Sequence, residues 1–241
     1  MQLRFVGRLG AADAVTVTNA ALGFLATAAA LIDVTLAARL ILLGAITDAL
    51  DGIVARRRGR TPAGVYLDSL ADVASFGVAP AVLVAAVVIE MLMPNGEPAV
   101  IAVALALPAL FVAMAVTRLG MYTAYDRDSE ETQGVQTTLA ATILAAAVLA
   151  GFTDVWQLVG LVGVLAVLMV STFTYPDLHA QDALIMGVVQ ALAIVAPGYY
   201  GRVFAFGLLF LALAYLVFAP RFYWRDHLDS DLLQSSFGEN D

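Results

Sequence analysis

Asp48, Asp51, Asp68 and Asp72 are four carboxylates embedded in hydrophobic sequence. They follow the pattern Asp48-x-x-Asp51-Gly52-x-x-Ala55-Arg56, then seven residues, then Gly64-x-x-x-Asp68-x-x-x-Asp72. Helical residues three or four apart share a face, so each pair projects its carboxylates in one direction. Two such pairs facing each other could hold one or two hard divalent cations. Oxygen-only ligands favour magnesium, manganese or calcium over zinc. Ionisable groups at membrane depth are costly and persist where function needs them. Two chemistries suit them: metal-assisted work on an anionic substrate, or passage of a cation or proton.

The elements that must carry these aspartates are membrane helices. The chain has 241 residues, 61% hydrophobic and 13% charged, against about 25% charged in a soluble domain. With no cysteine, disulfides and thiolate catalysis are excluded. The first residues, with Arg4 and Arg8, show no cleavage pattern before the first apolar run, so that run is expected to stay as a membrane helix. Spans of about 17–25 apolar residues place eight helices at 12–32, 34–55, 64–92, 99–122, 133–151, 158–173, 182–197 and 203–219. The sixth and seventh are short, and the third is long. Breakers separate them at Arg57–Pro62, Pro94–Pro98 and Thr174–Gln181. The fold class is therefore all-α, an integral membrane bundle forming one domain over 1–222, with an acidic polar tail over 223–241.

All twelve basic residues are arginine, and the formal net charge is -8. The acid excess fits ordinary solvated loops or a surface adapted to high salt, and it argues against a nucleic-acid partner. With the N-terminus inside, Arg4, Arg8, Arg56, Arg57, Arg58, Arg60, Arg127, Arg221 and Arg225 lie on the inner side and only Arg202 on the outer. Both termini are then cytoplasmic, and the aspartates open toward the cytoplasm at the cell membrane.

The aspartate pattern with Gly52, Ala55, Arg56 and Gly64 resembles the signature of the CDP-alcohol phosphotransferase family. The string Asp68-Ser69-Leu70-Ala71-Asp72-Val73-Ala74-Ser75-Phe76-Gly77-Val78-Ala79-Pro80 is similar to its phosphatidylserine synthase branch. Thr16-x-x-Asn19-x-x-x-Gly23 and Leu168-Met169-Val170-Ser171 followed by Tyr175-Pro176 agree with that branch. With the acidic, lysine-free composition, the chain is most similar to the haloarchaeal archaetidylserine synthases. The resemblance covers most of residues 10–180.

It implies a six-helix catalytic core and replacement of CMP on a CDP-lipid (CDP-archaeol or CDP-diacylglycerol) by the hydroxyl of L-serine. Asp48, Asp51, Asp68 and Asp72 become ligands of Mg2+ or Mn2+, two ions being expected, and Asp72 also the general base. Asn19, Asp48, Gly52, Ala55, Arg56, Gly64 and Asp68 become the CDP site. Gly52, Ala55 and Gly64 give clearance for the nucleotide, and Arg56 reaches a phosphate with its planar charged fork. A homodimer is also implied. The sequence departs from the family in two places. Seven residues rather than eight separate Arg56 from Gly64, and Gln133-Gly134-Val135-Gln136-Thr137-Thr138 replaces a proline-bearing segment.

Arg118 suits either headgroup snorkelling or contact with the serine carboxylate or a phosphate. Thr137, Thr138 and Ser171 are further acceptor candidates. Arg39 suits snorkelling or pairing at the outer end. Asn19 suits a helix–helix hydrogen bond as well as nucleotide contact. His179 and His227 have no ligand-like spacing. A phosphorylated acceptor, inositol phosphate or glycerol phosphate, would need more basic residues than Arg118, Arg127 and Arg39 supply. A transporter would need polar residues continuing outward, where the second and third helices are apolar.

Overall fold

The computed structural model describes residues 8–59, 61–93, 95–126, 131–176 and 180–222. Arg4, Arg60, Arg127, Arg225, His179, His227 and the acidic tail over 223–241 lie outside the described residues.

The described residues form an all-α bundle with one small β-ribbon. In order they are α1 (Ala11–Ala30), α2 (Val34–Arg58), α3 (Gly64–Asp72), α4 (Ala79–Leu92), α5 (Pro98–Met121), β1 (Glu131–Gln133), α6 (Thr137–Ala150), α7 (Val155–Met169), β2 (Thr174–Pro176), α8 (Ala180–Val195) and α9 (Gly198–Phe222). A π-helical segment, Val73–Val78, joins α3 to α4 in one rod, and another, Tyr122–Asp126, extends α5. Eight rods therefore stand where the hydrophobic pattern predicts eight.

α1, the α3–α4 rod, α5 and α9 are long and apolar enough to cross a membrane by themselves. α2 has 25 residues but carries the aspartates and arginines. α6, with 14 residues, is about 21 Å long, short of a bilayer core of about 30 Å. Its place explains how it can be short. Nearly every α6 residue is buried, and it packs against α2, α9, α7 and the π-segment of the α3–α4 rod. The outer surface is apolar instead, as Phe24, Phe210 and Leu184 show at 70%, 72% and 69% exposure. A lipid-facing surface has that character.

Local chemistry sets the ends and corrects several expected bounds. Asp33 accepts from the backbone N–H of Thr35 and Leu36 and starts α2. α2 runs through Arg56–Arg58 to Gly59, whose φ of +85° ends it, so Arg57 and Arg58 belong to the helix and not to the loop. α6 begins at Thr137, not 133, because β1 pairs antiparallel with β2 and Gly134 turns the chain at φ +76°. Asp154 caps α7 by accepting from Trp156 and Gln157 N–H, so the helix starts at Val155, three residues before the expected 158. Tyr175 Oη donates to Leu216 O, and Tyr215 Oη to Pro176 O, tying the ribbon to α9.

Candidate active site

α2 and the α3–α4 rod run antiparallel from the turn after Gly59, so their aspartate faces meet. Asp48, Asp68 and Asp72 each bring a carboxylate oxygen within 4.8 Å of the others. Asp72 also interacts electrostatically with Asp51 and with Arg118. Its Oδ1 is buried and has no hydrogen-bond partner. Three crowded carboxylates, one with a buried oxygen that no hydrogen bond satisfies, carry more negative charge than the single Arg118 guanidinium offsets, and like charges brought together out of water are costly. An all-oxygen set of this kind fits a hard divalent cation, and these residues therefore suit the magnesium or manganese expected.

Asp51 sits one step aside. Its Oδ2 accepts from Thr16 Oγ1 at 2.7 Å, and it lines a crevice with Ala12, Asp13, Thr16, Ala55, Gly64 and Asp68. Four of the expected CDP and metal residues thus share one crevice. Asp13 was not anticipated from the sequence. It is 2% exposed, and its Oδ2 accepts from Gly10 N at 2.7 Å and Thr61 Oγ1 at 2.8 Å. Thr61 Oγ1 accepts in turn from Gly64 N. Asp13 thereby fixes the turn that starts α3. A Cβ on Gly64 would lie 2.6 Å from Asp13 Oδ1, so the glycine is needed for that carboxylate's fit, beside any clearance for a nucleotide. An acidic residue three after Gly10 at a helix start was the available signal.

The stripe Thr16-x-x-Asn19-x-x-x-Gly23 packs α1 onto the other two elements. Thr16 holds Asp51. Ser75 Oγ, in the π-segment, donates to Asn19 O at 2.7 Å. A Cβ on Gly23 would come 2.6 Å from Ser75 Oγ and 2.7 Å from its Cα, so only glycine lets the π-segment approach. This contact anchors the helix immediately after Asp72. Asn19 itself is fully buried, its amide atoms have no partner, and its Oδ1 faces Gly44 of α2. The structure places Asn19 between α1 and α2 and not on the crevice wall.

Arg56 is exposed and folds back along its helix. Its Nη1 would lie 3.4 Å from a Cβ at Gly52, as expected for a shared face. Arg118 is buried, with its Cζ 5.8 Å from the Tyr122 ring centroid, and it interacts with Asp72. Of the acceptor candidates, it is the one joined to the carboxylates. Thr137 is buried at the start of α6, and Thr138 is half-buried. Ser171 Oγ donates to Leu168 O at 2.8 Å, closing the end of α7. Beside the carboxylates a groove of about 520 Å³ between α3 and α5 is walled by Tyr66, Leu70, Val116 and Leu119. Ser69 and Thr123 hydroxyls meet there at 2.6 Å.

Residues 9–175 match the model of a family described as CDP-alcohol phosphatidyltransferase. The chain is also 30% identical over 176 residues to an archaetidylserine synthase of Methanothermobacter thermautotrophicus, covering 71% of each protein. All four aspartates, the crevice and the β-ribbon's pairing partners up to Tyr175 fall within the family match.

Proposed function

The chain belongs to the CDP-alcohol phosphatidyltransferase family, enzymes that move a phosphatidyl group from a CDP-linked lipid to an alcohol in phospholipid synthesis, and we propose that its acceptor is the hydroxyl of L-serine. The observation that carries the chemistry is the convergence of Asp48, Asp68 and Asp72. What favours serine is the relative, which is named an archaetidylserine synthase, together with Arg118. That buried guanidinium, electrostatically coupled to Asp72, suits the carboxylate of an amino-acid acceptor.

In this reading the CDP group lies over Gly52, Ala55 and Gly64, its diphosphate toward Asp48, Asp68 and Arg56. Asp72 takes the proton of the serine hydroxyl, which fits a buried carboxylate oxygen with no hydrogen-bond partner and requires hydrogen-bond reach of that hydroxyl. The serine oxygen forms a bond to the lipid-side phosphorus. The bond from that phosphorus to the bridging oxygen breaks, and CMP leaves with the electron pair. Magnesium or manganese held by Asp48, Asp51, Asp68 and Asp72, two ions in all, supplies charge neutralisation at the diphosphate. The apolar groove between α3 and α5 suits one hydrocarbon chain of the donor.

The proposal extends to a single membrane domain over 1–222, a homodimer in the cell membrane, and aspartates opening to the cytoplasm. CMP release from CDP-archaeol and from CDP-diacylglycerol tests it, with L-serine, glycerol 3-phosphate and inositol phosphate compared in Mg2+ and in Mn2+. Release with serine alone supports the reading. Release with a phosphorylated alcohol and not with serine overturns the acceptor and leaves the family chemistry in place.

A further inference from the structure

The end of the bundle opposite the aspartates holds a second polar site. A cavity of about 570 Å³ there is lined by Thr35, Arg39, Gly151, Thr153, Tyr199 and Arg202, among others. Arg39 precedes Asp48 by nine residues on α2, which separates the two sites by about 13 Å along the helix axis.

Its arginines are exceptional. Among the described residues Arg8, Arg56, Arg57, Arg58, Arg118 and Arg221 lie toward the aspartate end, as the course of the helices requires. Arg39 and Arg202 are the two at the other end, and both face this one cavity. Arg39 Nε is buried without a hydrogen-bond partner, and neither side chain makes an ion pair or hydrogen bond among the described residues. The aspartates at this end are committed elsewhere. Asp33 accepts from Thr35 and Leu36 N–H, and Asp154 from Trp156 and Gln157 N–H.

The cavity is also built around one of the cations. Gly151 has φ +98°, and a Cβ on it would lie 2.9 Å from Arg202 Nη2, so the glycine turn admits the guanidinium. α9 starts at this cavity, with Gly198, Tyr199 and Gly201 in its lining, and a helix start carries the positive end of the helix dipole. Two permanent cations sharing a cavity repel each other, and a desolvated donor without an acceptor is costly. An anion satisfies both. Tyr199 and Tyr200, 76% and 68% exposed, mark the depth of a membrane interface, where such aromatic residues gather.

We propose that this cavity binds a phosphate group between Arg39 and Arg202, as a site separate from the aspartates. The phosphate comes from a phospholipid headgroup of the adjoining leaflet or from free phosphate. The test uses the full chain purified in neutral detergent with EDTA, so that no divalent cation attracts phosphate to the aspartates. It is titrated separately with dioctanoyl phosphatidylglycerol and with inorganic phosphate, followed by native mass spectrometry and thermal melting. Saturable binding that weakens at least tenfold in Arg202→Gln, and further in Arg39→Gln/Arg202→Gln, is expected. Binding of the lipid alone assigns a headgroup, and equal binding of inorganic phosphate assigns the free anion. No saturable binding of either probe, or binding unchanged in Arg202→Gln, overturns the proposal. Arg202 is exposed, so its single replacement reads binding in a folded protein even where the double variant misfolds.

Discussion

Aspartates at the two ends of this bundle do opposite work. At the far end Asp33 and Asp154 each accept from two backbone N–H groups and start a helix. At the other end Asp48, Asp68 and Asp72 point oxygens at each other within 4.8 Å. The first pair satisfies orphan donors that every helix start carries. The second group crowds like charges together instead, and Asp72 Oδ1 is buried there without a hydrogen-bond partner. Asp13 stands between the two kinds, since it caps the Gly10 N–H and grips Thr61, yet lines the crevice with Asp51 and Asp68. A carboxylate whose local geometry explains it is structural. One that destabilises its neighbours is kept for a ligand.

The largest effect that separates the kinds is at Asp72. Asp72→Asn is expected to lower CMP release by about 10²–10⁴-fold, the range for loss of a positioned acid–base group. The same change removes a repelling charge from the cluster, so the metal-free protein should melt higher than the parent. Adding Mn2+ should raise the parent's melting midpoint, by linkage worth about 2.7 kcal/mol at a hundred times its dissociation constant, and raise that of Asp72→Asn much less. Parallel metal stabilisation in both proteins would remove Asp72 from the cation site. A variant that melts lower without metal would show that the carboxylates are not in conflict.

Much of this contrast was legible in the sequence. Offsets of three and four put Asp48 with Asp51 and Asp68 with Asp72, and hydrophobic spacing gave the eight rods. Family membership and the transferase chemistry were equally readable from Asp48 to Pro80. The losses have physical reasons. The π-segment after Asp72 carries one more residue per turn without a composition that marks it, so the pivot at Ser75 was invisible. Asp51's bond to Thr16 joins residues 35 apart, which no local pattern reports. The expected helix began at 133 and so took in Gln133–Gln136, and only the pairing of Glu131–Gln133 with Thr174–Pro176 separates ribbon from helix. Arg39 and Arg202 lie far apart in sequence, so their shared cavity is a product of packing alone.

The next effects test whether α1 holds the reactive aspartates in place. Gly23→Val inserts atoms where even a Cβ would stand 2.6 Å from Ser75 Oγ, an overpacking of about 1–3 kcal/mol. CMP release should fall with it, because the π-segment that moves begins directly after Asp72. Gly23→Ala should be milder in both readouts. Thr16→Val removes a 2.7 Å hydrogen bond to a buried carboxylate, worth about 1.5–3 kcal/mol, and should weaken CDP-lipid affinity more than it lowers kcat. Thr16→Ser keeps the donor and should restore both. If Val and Ser behave alike, the hydroxyl is not what positions Asp51.

The smallest effect belongs to the far end, and it makes the comparison quantitative. Asp154→Ala deletes an N-cap that accepts from Trp156 and Gln157 N–H at 3.0 Å each, costing about 1 kcal/mol. In a chain of this size that corresponds to about 2–4 °C in the melting midpoint. Asp154→Asn or Ser, which still accepts from the backbone, should recover most of it, whereas no amide recovers Asp72's activity. Asp154 has no place in the transfer chemistry, so CMP release per folded molecule should stay at the parent level in all three variants. A fall in kcat without a fall in melting midpoint would mean that charge at the far end reaches the aspartates along α7 and its neighbours. The division between capping and reactive aspartates would then be one of degree. A fall in melting midpoint alone keeps the two ends chemically independent, as the commitment of Asp154 to its own helix requires.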